Sequence, residues 1–62
     1  MKERTRQRLL WRLEHGRHVV VDTTDLANEL RHWAPVPVVV EQFIDQNDRR
    51  TKYWMKRKDP TL

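Results

Sequence analysis

The sequence contains no cysteine, one glycine and three histidines among its 62 residues. Without cysteine no disulfide can form, and three histidines fall short of the roughly four Cys or His ligands that a structural zinc ion takes. One glycine is too few for a loop that wraps a phosphate. We therefore expect no metal and no cofactor, and a small core that depends on packing or self-association for its stability.

Long apolar stretches are missing as well. No run approaches the roughly 18 apolar residues that cross a bilayer, and the basic N-terminus lacks the apolar segment of a signal peptide. These absences, with the lack of cysteine, predict a cytoplasmic protein without a membrane partner. The length allows one domain over residues 1–62, in which we expect residues 58–62 to fray.

A catalytic centre is not expected either. Catalysis needs a nucleophile beside a base, or two carboxylates in a cleft. His15 and His18 lie on either side of Gly16 and have no evident third partner. Asp22 and Asp25 fit the start of a helix better than acid–base chemistry. The sequence therefore predicts a binding protein and not an enzyme.

Positive charge is concentrated at the two ends of the chain. Residues 1–17 carry six Lys or Arg against two Glu, and residues 49–62 carry six against one Asp. Residues 18–48 carry a single Arg against six carboxylates. Such asymmetry indicates contact with nucleic acid or a membrane surface, and the alternative is a solvated surface that keeps a small protein in solution.

Two segments have helical spacing. Leu9, Leu10 and Leu13 share one face of a helix over residues 3–15, and Gly16 follows where a helix end needs a left-handed residue. After a short buried strand over residues 18–21, a second helix runs from an N-cap at residue 22 or 23 to about residue 32.

Residues 34–46 fit two structures. As a helix, apolar residues between Val36 and Ile44 recur at spacings of three and four, with Pro37 in the first turn. As a strand, residues 38–40 have strong β-propensity, but the alternation fails at Gln42 and Phe43. We favour the helix over residues 36–46. The strand stays open, as does a short helix that passes into a strand near Phe43.

The C-terminal part predicts a turn at residues 46–48 and a strand over residues 50–57. One side of this strand carries Tyr53 and Met55, and the other side places Trp54 between Lys52 and Lys56. Trp54 can stack on a base, although in so small a domain packing against lysine stems fits it better.

The leucines of the first helix, residues 21–30 (VDTTDLANEL) and residues 51–55 (TKYWM) together resemble a small winged helix-turn-helix DNA-binding regulator of bacterial or phage type. The resemblance covers about fifty residues. It implies an α+β fold, winged-helix-like, with two or three helices and a small antiparallel sheet. In that family the third helix enters the major groove and the wing contacts phosphates or the minor groove.

The resemblance implies a transcription regulator from a phage or other mobile element that binds double-stranded DNA. The candidate third helix is acidic and offers only Gln42 for an adenine. The basic first helix and the C-terminal wing are therefore assigned the phosphate contacts. The predicted nucleic-acid-binding residues are Arg4, Arg8, Arg12, Gln42, Arg49, Arg50, Lys52, Trp54, Lys56 and Arg57.

Two other functions stay open. The acidic middle of the chain could dock on a basic protein partner through Glu29, Glu41 and Asp45, which describes an adaptor or inhibitor. The basic strand could instead bind single-stranded RNA through Tyr53 and Trp54. A homodimer is compatible with any of these functions because lone winged helices of this size often pair.

Overall fold

The computed structural model describes residues 1–58. In chain order its elements are α1 (Glu3–Glu14), β1 (Val19–Val21), α2 (Thr24–Trp33), β2 (Val38–Ile44) and β3 (Thr51–Arg57). The three strands form one antiparallel sheet in the order β1-β3-β2. This arrangement confirms the predicted α+β class with two helices and a small antiparallel sheet.

α1 ends at Glu14 and is terminated by Gly16, the residue that the sequence predicted for this role. Gly16 has a φ of 76°, in the left-handed region that glycine enters without steric cost. Its N–H bonds the carbonyl of Leu13 at 3.1 Å, and the N–H of Arg17 bonds the carbonyl of Arg12 at 2.8 Å. This pair of bonds is the Schellman pattern, and it turns the chain sharply towards β1.

α2 begins at the predicted cap. The hydroxyl of Thr23 accepts a hydrogen bond from the backbone N–H of Leu26 at 3.2 Å. Ala27 and Leu30 are buried one turn apart on the face that meets the core. The helix stops at Trp33, two residues before Pro35, where proline disfavours helical backbone.

The helix favoured over residues 36–46 is wrong, because residues 38–44 form β2. Their β-branched run pairs with β3 over its whole length, with Val38 opposite Arg57 and Ile44 opposite Thr51. Val38 and Val40 face the core, whereas Val39 between them is exposed. That period of two is a strand's. Phe43 breaks the apolar pattern because it lies on the solvent side of the sheet.

The core is small and lies between the helices and one face of the sheet. Its buried members are Leu13, Val19, Val21, Ala27, Leu30 and Met55. Met55 lies on the central strand, opposite Val19 on one side and Val40 on the other. Both helices pack on this face, where they contact β1, β3 and each other.

On the opposite face of the sheet, no helix or strand of the described residues is packed. Val20, Val39 and Phe43 on this face are each about 40% exposed. The Cα atoms span 35 × 31 × 15 Å. The shortest of these dimensions is the thickness of one helix layer packed on one sheet. Neither helix in residues 1–58 is long and apolar enough to cross a membrane.

The C-terminal tail was predicted to fray from residue 58. Lys58 instead donates its backbone N–H to the carbonyl of Pro37 at 2.9 Å, which extends the pairing of β3 with the start of β2. The rest of the predicted tail, residues 59–62, lies outside the described residues.

Candidate nucleic-acid interface

The two positively charged ends of the chain meet at one end of the molecule. β1 and β3 are antiparallel with Val19 opposite Met55, so the residues that precede β1 lie beside the last residues of β3. Arg57 reaches further and donates from Nη1 to the carbonyl oxygen of Glu14, at the end of α1, over 2.9 Å. The last turn of α1, the α1–β1 connection and the end of β3 therefore form one surface.

This surface concentrates cations. We call it the basic end, and its cationic members are Arg12, Arg17, Lys56, Arg57 and Lys58. Within residues 11–18 and 54–58 the only carboxylate is that of Glu14. The sequence identified three of the five cations. Lys58 was assigned to the tail that was expected to fray. Arg17 was missed, and the available signal for it was its place directly after the helix-ending Gly16.

Two arginines of the basic end are held by the backbone. Arg12 donates from Nε to the carbonyl of His18 at 3.2 Å, and Arg57 satisfies a carbonyl at the negative end of the α1 dipole. A cation there is favoured by that dipole. Each guanidinium has five N–H donors and spends one on these bonds, so most of its donors remain for a phosphate.

Trp11 supports a third arginine. Its ring stacks on His15 with centroids 4.2 Å apart, and the guanidinium carbon of Arg17 lies 5.5 Å from the Trp11 ring centroid. His15 Nδ1 lies 2.8 Å from the Trp11 carbonyl oxygen, which fixes the imidazole ring. The side chains of His15 and Arg17 are thus ordered on the surface of α1, and Trp11 itself is 49% exposed.

The predicted ridge on α1 extends from the basic end. Arg8 and Arg4 are exposed on the outward side of the helix, about one and two turns before Arg12. Arg6 faces the other way. It pairs with Glu29 of α2 at 3.5 Å and lies over Trp33 at 4.4 Å from the ring centroid, so it joins the two helices.

The predicted wing residues are divided between two places. Arg49 and Arg50 lie in the β2–β3 turn, at the opposite end of β3 from Lys56 and Arg57. Residues 51–55 of the strand lie between the two groups, which places Arg50 and Lys56 roughly 20 Å apart. Gln42 lies on β2, opposite Tyr53, and not on a helix that could enter a groove.

Lys52 is engaged within that turn. Its Nζ lies 2.8 Å from an oxygen of Asp45 and 3.0 Å from an oxygen of Asp48. The hydrogen bonds that Lys52 donates to the two carboxylates raise the pKa of Lys52 above its usual value. The bond from Lys52 lowers the pKa of both Asp45 and Asp48. The charge of Lys52 is therefore balanced locally.

The acidic residues assigned to a protein partner are also divided. Glu29 pairs with Arg6, and Asp45 pairs with Lys52. Glu41 is exposed on β2 and takes part in none of the ion pairs of residues 1–58. The three carboxylates therefore do not act together as one free acidic surface.

Tyr53 and Trp54 lie on opposite faces of the sheet. The hydroxyl of Tyr53 accepts a hydrogen bond from the Thr24 hydroxyl at 2.7 Å, on the helix side. Trp54 lies on the uncovered side, where its ring stacks with His18 at a centroid distance of 6.3 Å. A single-stranded nucleic acid bound to one face of the sheet could therefore contact Tyr53 or Trp54, but not both.

The chain matches no protein-family model, no curated protein and no solved structure. The winged-helix relationship stays a prediction from the sequence.

Proposed function

We propose that this chain is a non-enzymatic DNA-binding protein, a small transcription regulator that holds the phosphate backbone at its basic end. The observation that supports this function is the convergence of five cations from two distant parts of the sequence, beside one carboxylate. Neutralising phosphates releases condensed counterions, which supplies most of the sequence-independent affinity of a DNA-binding protein.

The contacts would be with the backbone more than with base edges. In the described residues the segment expected to form a groove-entering helix is an edge strand, so no third helix is present to carry side chains into the major groove. Arginines held by one backbone bond suit phosphates, which are contacted bidentately without regard to sequence. We therefore expect DNA binding with weak sequence specificity and a strong dependence on salt concentration.

The protein-partner alternative has less support. Two of its three carboxylates already form ion pairs within the chain. A protein partner that bound Glu29 or Asp45 would first have to break these ion pairs, which would reduce its net binding free energy.

The first test is a titration of a labelled 20-base-pair duplex, followed by fluorescence anisotropy between about 50 and 200 mM salt. We compare the wild type with Arg17→Glu/Lys56→Glu, since both side chains belong to the basic end and neither donates a backbone-holding bond in residues 1–58. We expect roughly 10- to 100-fold weaker binding and a salt slope lower by about 1.8, which is two phosphate contacts.

The matched control is Arg31→Glu/Arg49→Glu, which makes the same charge change at exposed positions away from the basic end. Its affinity for the duplex should stay within about threefold of the wild type, because it changes the net charge but leaves the basic end intact. Equal losses in the two variants, or a wild-type salt slope near zero, would show that the basic end is not the DNA contact.

A further inference from the structure

The uncovered side of the sheet has a defined composition. We call it the open face. Its members are Val20, Val39, Glu41, Phe43, Lys52, Trp54 and Lys56. The register places Trp54 between Val20 and Glu41, with Lys56 opposite Val39. Trp54 therefore lies at the centre of the face, on the middle strand.

Three aromatic side chains follow one diagonal of the sheet, with His18 at the border of the open face. His18 stacks on Trp54 with an interplanar angle of 16°. Phe43 lies opposite Lys52 and is the diagonal cross-strand neighbour of Trp54, a position that long side chains can reach across. Phe43 is 38% exposed, so its ring is accessible from solvent. Exposed aromatic rings along one diagonal can serve as a platform on which successive unpaired bases stack.

The charges around these rings are unequal. The His18 side borders the basic end, because Arg12 donates to the His18 carbonyl and Lys56 follows Trp54 by two residues on the same face. On the Phe43 side, Lys52 is balanced by Asp45 and Asp48. A strand whose bases follow the three rings would therefore have the phosphates at its His18 end held by Lys56 and the basic end, and its base at the Phe43 end held by stacking.

Glu41 gives the face a preference among bases. It lies directly opposite Trp54, so its carboxylate is beside any base that stacks there. A carboxylate accepts a hydrogen bond from the exocyclic amine of cytosine but repels the O4 acceptor of thymine. Cytosine should therefore bind better than thymine at this position.

We propose that the open face binds single-stranded DNA, with bases stacked on His18, Trp54 and Phe43 and phosphates at Lys56 and the basic end. This inference rests on the proposed function, since the basic end supplies the phosphate contacts. The faces of bases in a duplex are already stacked, so a flat sheet reaches them only in a single strand. Val20 and Val39 beside the rings suit the apolar C2′ methylene of deoxyribose and offer no partner to a 2′-hydroxyl.

The experiment measures binding of labelled dC12, dT12, a mixed-sequence duplex and rC12 at one salt concentration. The variants are Phe43→Val, which removes a ring but keeps a strand-forming residue, and Ile44→Val, its neighbour, which is 67% exposed on the other face. We expect Phe43→Val to lose roughly 5- to 100-fold in affinity for dC12. Its affinity for the duplex and its melting temperature should stay within error of the Ile44→Val control.

A second comparison addresses Glu41. The wild type should prefer dC12 to dT12, and Glu41→Gln should remove most of that preference, since a glutamine amide can both accept and donate. Loss of the preference without loss of affinity for dT12 would support the placement of a base beside Glu41.

The outcomes separate this inference from the proposed function. Duplex binding with a salt slope, but with no loss at Phe43→Val, would overturn the open-face proposal and leave the basic end intact. Binding of neither strand nor duplex would overturn both proposals. Equal or tighter binding of rC12 would overturn the assignment to DNA. A dimer in sedimentation that Phe43→Val dissociates would assign the open face to a second copy of the chain.

Discussion

At the scale of a single residue, Lys52 was predicted to contact nucleic acid but forms ion pairs within the protein instead. Among the residues of the basic strand it looked equivalent to Lys56, yet its ammonium lies within 3.0 Å of two aspartates. A phosphate at Lys52 would have to displace Asp45 and Asp48. Lys56, on the same face, forms no ion pair within residues 1–58 and keeps its charge for a ligand.

This cluster predicts a pH dependence of stability. The pKa values of Asp45 and Asp48 are lowered by Lys52, so their contribution is present above about pH 4 and is lost as pH falls through the lowered values. The pKa of Lys52 is raised, so its contribution is present at neutral pH and is lost only as pH rises above the usual lysine range. Lys52→Met should therefore be less stable than the wild type at pH 7, and the difference should shrink at about pH 3.

The measurement is the urea midpoint of each protein at the two pH values. Lys56→Met serves as the control, because it removes the same charge from the same face without breaking an ion pair of the described residues. A difference between Lys52→Met and wild type that is unchanged from pH 7 to pH 3 would contradict the account of the cluster.

β2 is the element whose nature most affects the function, and its two central valines test it. Val40 packs against the core and Val39 is exposed on the open face. Val40→Ala should cost about 1–2 kcal/mol of unfolding free energy because buried methyl groups are lost. Val39→Ala should cost about 0.5 kcal/mol or less. The two share the same change in β-propensity, so the difference measures core packing alone.

Chemical denaturation of the two variants gives the free energies. In the helix that the sequence favoured, both valines would lie on the apolar face and both substitutions would be costly. Similar losses at the two positions would therefore argue against β2 as a strand with one buried side.

The elements that the sequence predicted correctly carry their signals locally. Gly16 ends α1, Thr23 caps α2, and alternation marks β3, each within a few residues. β2 carries no such local signal, because its apolar residues fit the spacing of a helix as well as that of a strand. Only its pairing with β3 decides between the two. Once residues 38–44 are paired with β3, Phe43 falls opposite Lys52 and the contact of Lys52 with Asp45 becomes predictable.

At the scale of the whole molecule, the basic end depends on information that no single segment holds. Charge counting located both basic ends of the chain. It could not show that the last turn of α1 meets the end of β3, since that follows from the register of Val19 with Met55 and from the bond of Arg57 to Glu14. Nor could it separate Arg49 and Arg50 from the rest, because their distance depends on the length of β3.

Ligand binding should also change the stability of the whole molecule. A ligand that binds only the folded state at about 100 times its Kd adds roughly 2.7 kcal/mol to the unfolding free energy. In a domain of this size that raises Tm by about 10–20 °C. Circular dichroism melts with and without duplex DNA at low salt measure the rise.

Two conditions should reduce this effect. About 500 mM salt screens the phosphate contacts, and Arg17→Glu/Lys56→Glu removes two of them. A rise in Tm that is undiminished under both conditions would mean that the DNA contacts another part of the chain.

The position of β2 at the margin of the sheet has a consequence for how copies of this protein behave when crowded. One side of its backbone bonds β3, and the other has no strand beside it in residues 1–58, so that row of N–H and C=O groups can template a further strand. Its sequence, VVVEQFI, has the β-propensity of segments that stack into fibrils, and Glu41 is its one charge. In a stack of in-register copies these carboxylates would lie about 4.8 Å apart and repel one another. We therefore expect Glu41 to act as a gatekeeper against aggregation.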